Sequence, residues 1–189
     1  MKKITLLAAT MALSTALFAQ TKWEANKAHS KVGFTVTHLS VSEVDGNFKK
    51  FDASLTSSKP DFTDAVFELT ADVSSVNTDN DMRDGDLKSD HFFDVAKYPQ
   101  ITFKSKGVTK IDDKNYKLTG DLTMHGVTKT ISLNLALTGT GKNMRDQKPI
   151  AGFKVTGTIK RTDFGVGGMP AAIVSDEVEI RAVGEFDQI

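Results

Sequence analysis

The sequence predicts an all-β protein of roughly eight antiparallel strands, closed as an up-and-down barrel or folded as a sandwich, with one short helical crossover. Three observations carry this reading. Apolar and polar residues alternate strictly over most of the chain, giving each strand one dry and one wet face. Only Thr78–Ser105 leaves that pattern. The wet faces carry charges at mid-strand, such as Glu68 and Asp121, which a lipid-facing wall would not tolerate. The barrel is therefore read as soluble, and closure removes the sheet edges that a single sheet would expose.

The chain opens with Met1-Lys2-Lys3 and an apolar run from Ile4 to Phe18. This reads as a secretory signal peptide, with Ala16 or Ala19 before the cleavage point, leaving a mature domain over residues 20–189. The run is too short to be read as a membrane span, and no cysteine is present to take a lipid anchor. The 24 Lys and Arg balance the 24 Asp and Glu, and losing Lys2 and Lys3 leaves the mature form slightly acidic. No basic stripe appears, so nucleic acid is excluded as a partner. The absence of cysteine removes disulfides, thiol catalysis and thiolate metal sites. About 170 residues suffice for one domain with a real core.

The strands follow in order. Val32, Phe34, Val36 and His38 share one face of Ser30–Leu39. Phe51, Ala53 and Leu55 keep step after Gly46-Asn47-Phe48, and Phe67, Leu69, Ala71 and Val73 form the next stripe. Ile101 and Phe103 begin another. Tyr116, Leu118, Gly120, Leu122 and Met124 lead to His125-Gly126, a tight-turn candidate. Ile131 to Leu137, Phe153 to Arg161 and Val178 to Ala182 complete the set. Between them, Thr78–Ser105 reads as a solvated, capped helix start around Arg83, Asp84, Asp86 and Asp90. The apolar edge Leu87, Phe92 and Phe93 follows, and the helix is expected to stop before Tyr98-Pro99.

The dry faces carry many aromatics for a small barrel, Phe34, Phe48, Phe51, Phe67, Phe103 and Phe153; each alone reads as packed core, but small residues (Ala53, Ala71, Gly120, Gly157, Ala182) share their register and leave room along the axis for a long apolar ligand. His38 and Arg161 end two inward stripes. A buried arginine needs a partner. Either Asp163 or another carboxylate clamps Arg161, or Arg161 and His38 donate to a ligand head group at the mouth.

Several motifs stand in the order found in the YceI-like family: His29-Ser30 with Phe34 and His38, Gly46-Asn47-Phe48, Arg83-Asp84 through Phe92-Phe93 and Tyr98-Pro99 to Phe103, Gly120-Asp121-Leu122-Thr123 with Gly126-Val127-Thr128, and Arg161-Thr162-Asp163-Phe164-Gly165. The resemblance runs from about Trp23 to the C-terminus. It implies a lipocalin-like, extended eight-stranded antiparallel β-barrel that binds a polyisoprenoid lipid, such as a quinone or a prenyl-lipid tail. It also implies a periplasmic or secreted location and, often, a homodimer. The residues expected to line the cavity are Phe34, Val36, His38, Phe48, Phe51, Phe67, Leu69, Phe92, Phe93, Phe103, Leu122, Met124, Phe153, Val155, Arg161 and Phe164. No cofactor beyond the lipid is expected.

Catalysis has little support in the sequence. His29, His38, His91 and His125 form no metal-ligand pair. Gly165, Gly167 and Gly168 precede Met169-Pro170 and open no helix, so they read as a flexible loop and not a phosphate cradle. An enzyme acting on a bound lipid or quinone would need a titratable pair at the mouth, for which only His38 with Asp163 is available. A filled barrel with a protein-binding surface is the third reading.

Overall fold

A computed structural model describes residues 20–189; the expected signal peptide and its cleavage point lie outside the described residues. The first three long strands are each broken in the middle. Strand β1 (Thr21–Ala25) passes through a 3-10 turn into β2 (Lys31–His38), and β3 (Ser42–Phe48) bends at Lys49-Lys50 into β4 (Phe51–Ser57). Strand β5 (Val66–Asp72) turns at Val73–Ser75 into the two-residue β6 (Val76–Asn77). The broken strands stay in step, because β1 pairs with β4 while β2 pairs with β3, and β5 pairs with β4 while β6 pairs with β3.

The remaining strands are continuous: β7 (Gln100–Lys110), β8 (Asn115–Met124), β9 (Val127–Lys142), β10 (Pro149–Lys160) and β11 (Val174–Gln188). Each pairs antiparallel with the next, and β11 closes the ring by pairing with β2 along its first part and with β1 at its end. The result is a closed barrel of eight antiparallel strands, as the alternation predicts.

Closure is incomplete at one level. Strand β5 pairs with β7, but β6 does not, so the upper wall has a gap there. The crossover fills it. Its helix α1 (Asp81–Lys88) starts at Asn80, whose side chain accepts from the Arg83 N–H at 3.0 Å. The helix ends at Lys88, before Tyr98-Pro99 as expected but well short of it. Turn N–H groups take its last carbonyls, Phe93 donating to Leu87 at 3.0 Å and Val95 to Lys88 at 3.1 Å. Phe92 and Phe93 therefore leave from a turn, not from a helix face. Asp84 is also not solvated: it is buried and accepts from the Thr78 N–H at 2.8 Å and the Thr78 hydroxyl at 2.6 Å. At the far end of the crossover, the Tyr98 ring packs against His125, tilted by 60° with centroids 4.4 Å apart. His125 and Gly126 form the tight β8–β9 turn with φ of 52° and 75°, and a side chain at Gly126 would collide with the Tyr98 ring.

The lower half of the barrel is solid. Phe62, carried by the β4–β5 loop, is inserted beneath Trp23 and Phe153, edge to face at 5.7 and 5.1 Å. Phe67 and Phe186 pack on Phe153 at 5.2 and 5.8 Å. The small inward residues do not open an axial channel here. The Phe103 ring occupies the space above Gly120, and Leu133 that above Gly157. Glycine in these strands admits a neighbour's side chain and leaves no void.

Asp64 fixes the Phe62 loop. Its carboxylate accepts from the Ser57 hydroxyl at 2.6 Å, the Ser58 N–H at 2.8 Å and the Lys59 N–H at 3.2 Å, and from the Ser58 hydroxyl. Burial pushes this carboxyl up, but the donors of Ser57, Ser58 and Lys59 outweigh it and hold it well below the ordinary carboxylate range. A depressed folded-state pKa stabilises the fold above the unfolded value of about 3.9, and that contribution is lost as pH falls toward the folded value. Asp64→Asn is expected to lower the melting temperature most above pH 5, with the gap to the wild type narrowing steadily as pH falls below 4. Thermal denaturation across that range checks it; a gap independent of pH would contradict the assignment.

Candidate functional site

The upper half of the barrel is hollow. A cavity of about 720 Å³ lies between β2, β3, the crossover, the tops of β7 and β8, and the β10–β11 loop. Its wall is overwhelmingly apolar, which suits a ligand without much polarity. Strand β2 supplies Phe34, Val36 and His38 from its inward stripe, and β3 supplies Phe48. Leu69, Leu122 and Met124 line the opposite side, and Phe92 and Phe93 close the gap in the wall. With Arg161, these are ten of the expected residues, and they stand around one space.

The other six expected residues lie elsewhere. Phe67 and Phe153 belong to the packed lower half, and Val155 packs against that core. Phe103 is in register with Leu69 and Leu122, but its ring covers Gly120 instead of facing the cavity. Phe51 is buried next to the strand break and borders a separate outer groove, of about 840 Å³, lined largely by polar and charged side chains such as Lys49, Lys50 and Asp72. Phe164 is fully buried in the 3-10 turn that follows β10. Alternation states which face a side chain takes but not its height along the barrel, which separates Phe67, Phe153 and Val155 from the ten, nor which way a ring swings, which turns Phe103 onto Gly120 at the height of Leu69 and Leu122.

Some lining residues were legible as inward positions without being assigned to the site, among them Ile101, Ile159, Val178 and Ile180. Others had no periodic signal. Val166, Met169, Ile173 and Val174 come from the loop after Phe164, and Met82 and Arg83 come from α1.

Arg161 decides the shape of the upper end. It is 4% exposed and has no carboxylate in contact. All five of its N–H groups instead meet main-chain carbonyls of the β10–β11 loop and of the first residues of β11. Nε donates to Ser175 at 3.1 Å, Nη1 to Val166 at 3.0 Å and Gly167 at 2.8 Å, and Nη2 to Met169 at 2.6 Å and Val174 at 3.0 Å. The carboxylate clamp expected from the sequence is absent here: Asp163 pairs with Lys129 at 3.3 Å, and Asp176 accepts from the Thr162 hydroxyl and N–H at 2.5 and 3.1 Å. The head-group reading of Arg161 also fails on geometry, because no donor remains for a ligand. The loop expected to be flexible is pinned at three of its carbonyls, with two more at the start of β11.

Arg83, unlike Arg161, has donor capacity left. Its Nε donates to the Thr78 hydroxyl and its Nη2 to the Thr78 carbonyl, both at 2.8 Å, while its Nη1 makes no hydrogen bond among the described residues. The Thr78 hydroxyl, donating in turn to Asp84, fixes this geometry. Arg83 and His38 both lie at the exposed mouth of the cavity. Asp163 does not line the cavity, so the His38–Asp163 pair that an enzyme would require does not form. Among the described residues no cluster of metal-ligating side chains occurs, and no helix is long and apolar enough to cross a membrane.

An eight-stranded barrel, packed solid below and hollow and apolar above, defines a ligand-holding β-barrel. The chain belongs to the YceI-like family, whose domain profile matches residues 23–186. A UPF0312 protein of Staphylococcus aureus (strain bovine RF122) is 36% identical over 164 residues, covering 84% of this chain and 93% of the relative. Among solved structures, BcnA of Burkholderia cenocepacia superposes with a TM-score of 0.77 at 27% identity, covering 85% of this chain and 98% of its own. A polyisoprenoid binding domain from Saccharophagus degradans, implicated in plant cell wall breakdown, shares the fold with a TM-score of 0.63 at 18% identity, covering 89% and 98%.

Replacing Arg161 by Met or Lys is expected to destabilise the protein by about 3 kcal/mol or more, because five carbonyls gathered around one buried guanidinium lose their shared donor. Lysine is a poor substitute, since one ammonium does not reproduce a planar five-donor fork. Urea denaturation of both variants checks this, and a loss below about 1 kcal/mol would mean the loop holds itself.

Proposed function

We propose that this protein is a non-catalytic carrier that binds a polyisoprenoid lipid, of quinone or prenyl-chain type, in the upper cavity and transports or stores it. The observation that carries the reading is the confinement of the void to one half of the barrel, walled by apolar side chains and floored by packed aromatics. An interior of this kind does not fit a filled barrel acting only through its surface. Family membership and the polyisoprenoid-binding neighbour support the same class of ligand. A binding protein is favoured over an enzyme because the mouth lacks a coupled acid–base pair. An exported location, periplasmic or secreted, accords with the N-terminal charge and apolar pattern.

The energetics are adequate. Micromolar affinity corresponds to about 8 kcal/mol. Each buried methylene contributes roughly 0.8 kcal/mol, so about ten such groups match it before ordering costs are subtracted. In this reading the tail fills the cavity and the head group stays at the mouth, where the free Nη1 of Arg83 and the ring of His38 meet a carbonyl oxygen. Asp81 and Asp86, beside Arg83 on α1, disfavour a highly charged phosphate, so a neutral acceptor such as a quinone is the better match.

Native mass spectrometry of the mature protein from its own kind of host, followed by organic extraction, is expected to reveal a stoichiometric prenyl lipid. An empty protein that also refuses added quinones and prenyl phosphates would overturn the carrier reading. Val36→Trp is expected to fill part of the cavity and weaken quinone binding at least tenfold, with stability changed by no more than about 1–2 kcal/mol. Arg83→Met is expected to leave tail binding intact but to reduce the preference for a quinone over its carbonyl-free hydrocarbon analogue by about tenfold or more, the size of one hydrogen bond to a charged donor. Competition binding with the two ligands measures that ratio, and an unchanged ratio would remove Arg83 from the head-group contact.

A further inference from the structure

We propose that the hollow end of the barrel docks on a lipid bilayer through a collar of exposed apolar side chains, and that ligand passes between membrane and cavity across that contact. The inference rests on the reading of the cavity as a lipid site.

The large apolar side chains left exposed among the described residues are concentrated at this end. Leu39 (54% exposed) and Val41 (87%) sit on the β2–β3 turn, Met82 (86%) on α1, and Met169 (41%) and Ile173 (39%) on the β10–β11 loop. Three separate stretches of chain thus contribute to one rim. The lower end shows only Ile111, Met144 and Ile189, each on a different turn or terminus. Exposed apolar residues scattered singly need no explanation, whereas a group around an opening does.

The collar is continuous with the cavity. Met82, Met169 and Ile173 both face solvent and line the interior. Its segments are also held. The Leu39 N–H donates to the Ile173 carbonyl at 2.9 Å, and Arg161 holds the Met169 carbonyl at 2.6 Å. Leu39 is placed against its own preference. It and Ser40 have φ of 51° and 56° in a turn closed by the Val41 N–H on the His38 carbonyl at 3.0 Å. Such turns favour Asn and Gly, and a leucine there is strained as well as exposed. Strain of this kind points to a role outside the fold.

A bilayer fits this surface better than a protein does. The centre of the collar is an opening, and protein interfaces draw their affinity from a well-packed centre. Lipid chains conform to a rim and continue into the cavity behind it. The charges on α1 and the neighbouring strand, Asp81, Asp86 and Glu43 against Arg83 and Lys88, are acidic in balance and give no attraction to anionic lipid. The surface that matches is zwitterionic, and contact with it spares the ligand tail a passage through water.

The test is flotation of the mature domain with phosphatidylcholine vesicles, with and without phosphatidylglycerol. The wild type is expected to float with zwitterionic vesicles, to keep doing so in high salt, and to gain nothing from the anionic lipid. The double variant Leu39→Asn/Val41→Ser replaces no cavity-lining residue and keeps the main-chain bonds to Ile173 and His38. It is expected to lose at least tenfold in vesicle partition while its melting temperature is unchanged or raised, since asparagine suits the turn. A wild type that stays with the soluble fraction, a double variant that floats equally well, or binding that grows with anionic lipid would overturn the proposal. So would a change of oligomeric state by light scattering in the variant, which would make the collar a contact between copies of this chain. Uptake of a prenyl quinone from vesicle-free solution, followed by native mass spectrometry, separates the two readings: floating without uptake overturns the lipid cavity and leaves the docking surface standing.

Discussion

A guanidinium withdrawn from water without a carboxylate must place all five of its donors on neutral acceptors, and that constraint organises the working end of this barrel. Arg161 meets it with five carbonyls from Val166, Gly167, Met169, Val174 and Ser175. The loop between β10 and β11 is thereby curled around one side chain and not laid flat over the barrel mouth. Gly167, at φ 73°, lies against Phe92 and Arg161, where a side chain would collide. The loop's apolar members are thus presented on both sides, Val166 and Val174 toward the cavity and Met169 and Ile173 also toward solvent. A buried charge held by carbonyls is sensitive to truncation, because the acceptors are then stranded together.

The second constraint is the break in the first three strands. Eight regular strands would fill a barrel with side chains along its whole length. Here the offsets after Ala25, Phe48 and Asp72 bend the upper segments away, and β6 stops after two residues without reaching β7. The wall is completed by a crossover whose own hydrogen bonds are local, through Asn80, Thr78 and Asp84, and whose far end is clipped by Tyr98 on the β8–β9 turn. Sealing a wall with a turn-rich segment costs sheet pairing but brings in Phe92, Phe93 and Arg83, which strands would not have placed there. The lower half keeps its pairing and can be packed to a solid core by Trp23, Phe62 and Phe153.

These two constraints also explain what the sequence discloses. Period-two alternation is a direct record of face, so the barrel, the inward stripe from Val32 to His38 and the His125-Gly126 turn were all legible. Height along the axis leaves no such record, and Phe67 and Phe153 were therefore indistinguishable from Phe34 and Phe48. For Arg161 the need for partners was legible, but carbonyl partners carry no residue code, and only a carboxylate or a ligand head group could be anticipated. Arg83 and Asp84 looked like a solvated helix start because nothing in their spacing shows that Thr78 folds back between them. Val166 to Val174 had no periodicity at all, since a loop wound around a side chain follows that side chain's geometry.

The two ends of the barrel then have different chemistry for a physical reason. At the lower end Phe62 enters as a plug, held by an Asp64 carboxylate whose hydrogen bonds favour its charged form. No route for a ligand passes that way without breaking aromatic packing. At the upper end the strand breaks and the Arg161-centred loop leave an opening whose rim is apolar on both its inner and outer sides. An apolar ligand leaving such a cavity into water would expose each methylene at the cost that burial had removed. The barrier is lowest where the rim itself meets an apolar phase. A barrel closed at one end and apolar at the rim of the other therefore offers an apolar ligand one favourable direction of exchange. The strained, exposed Leu39 lies on that side.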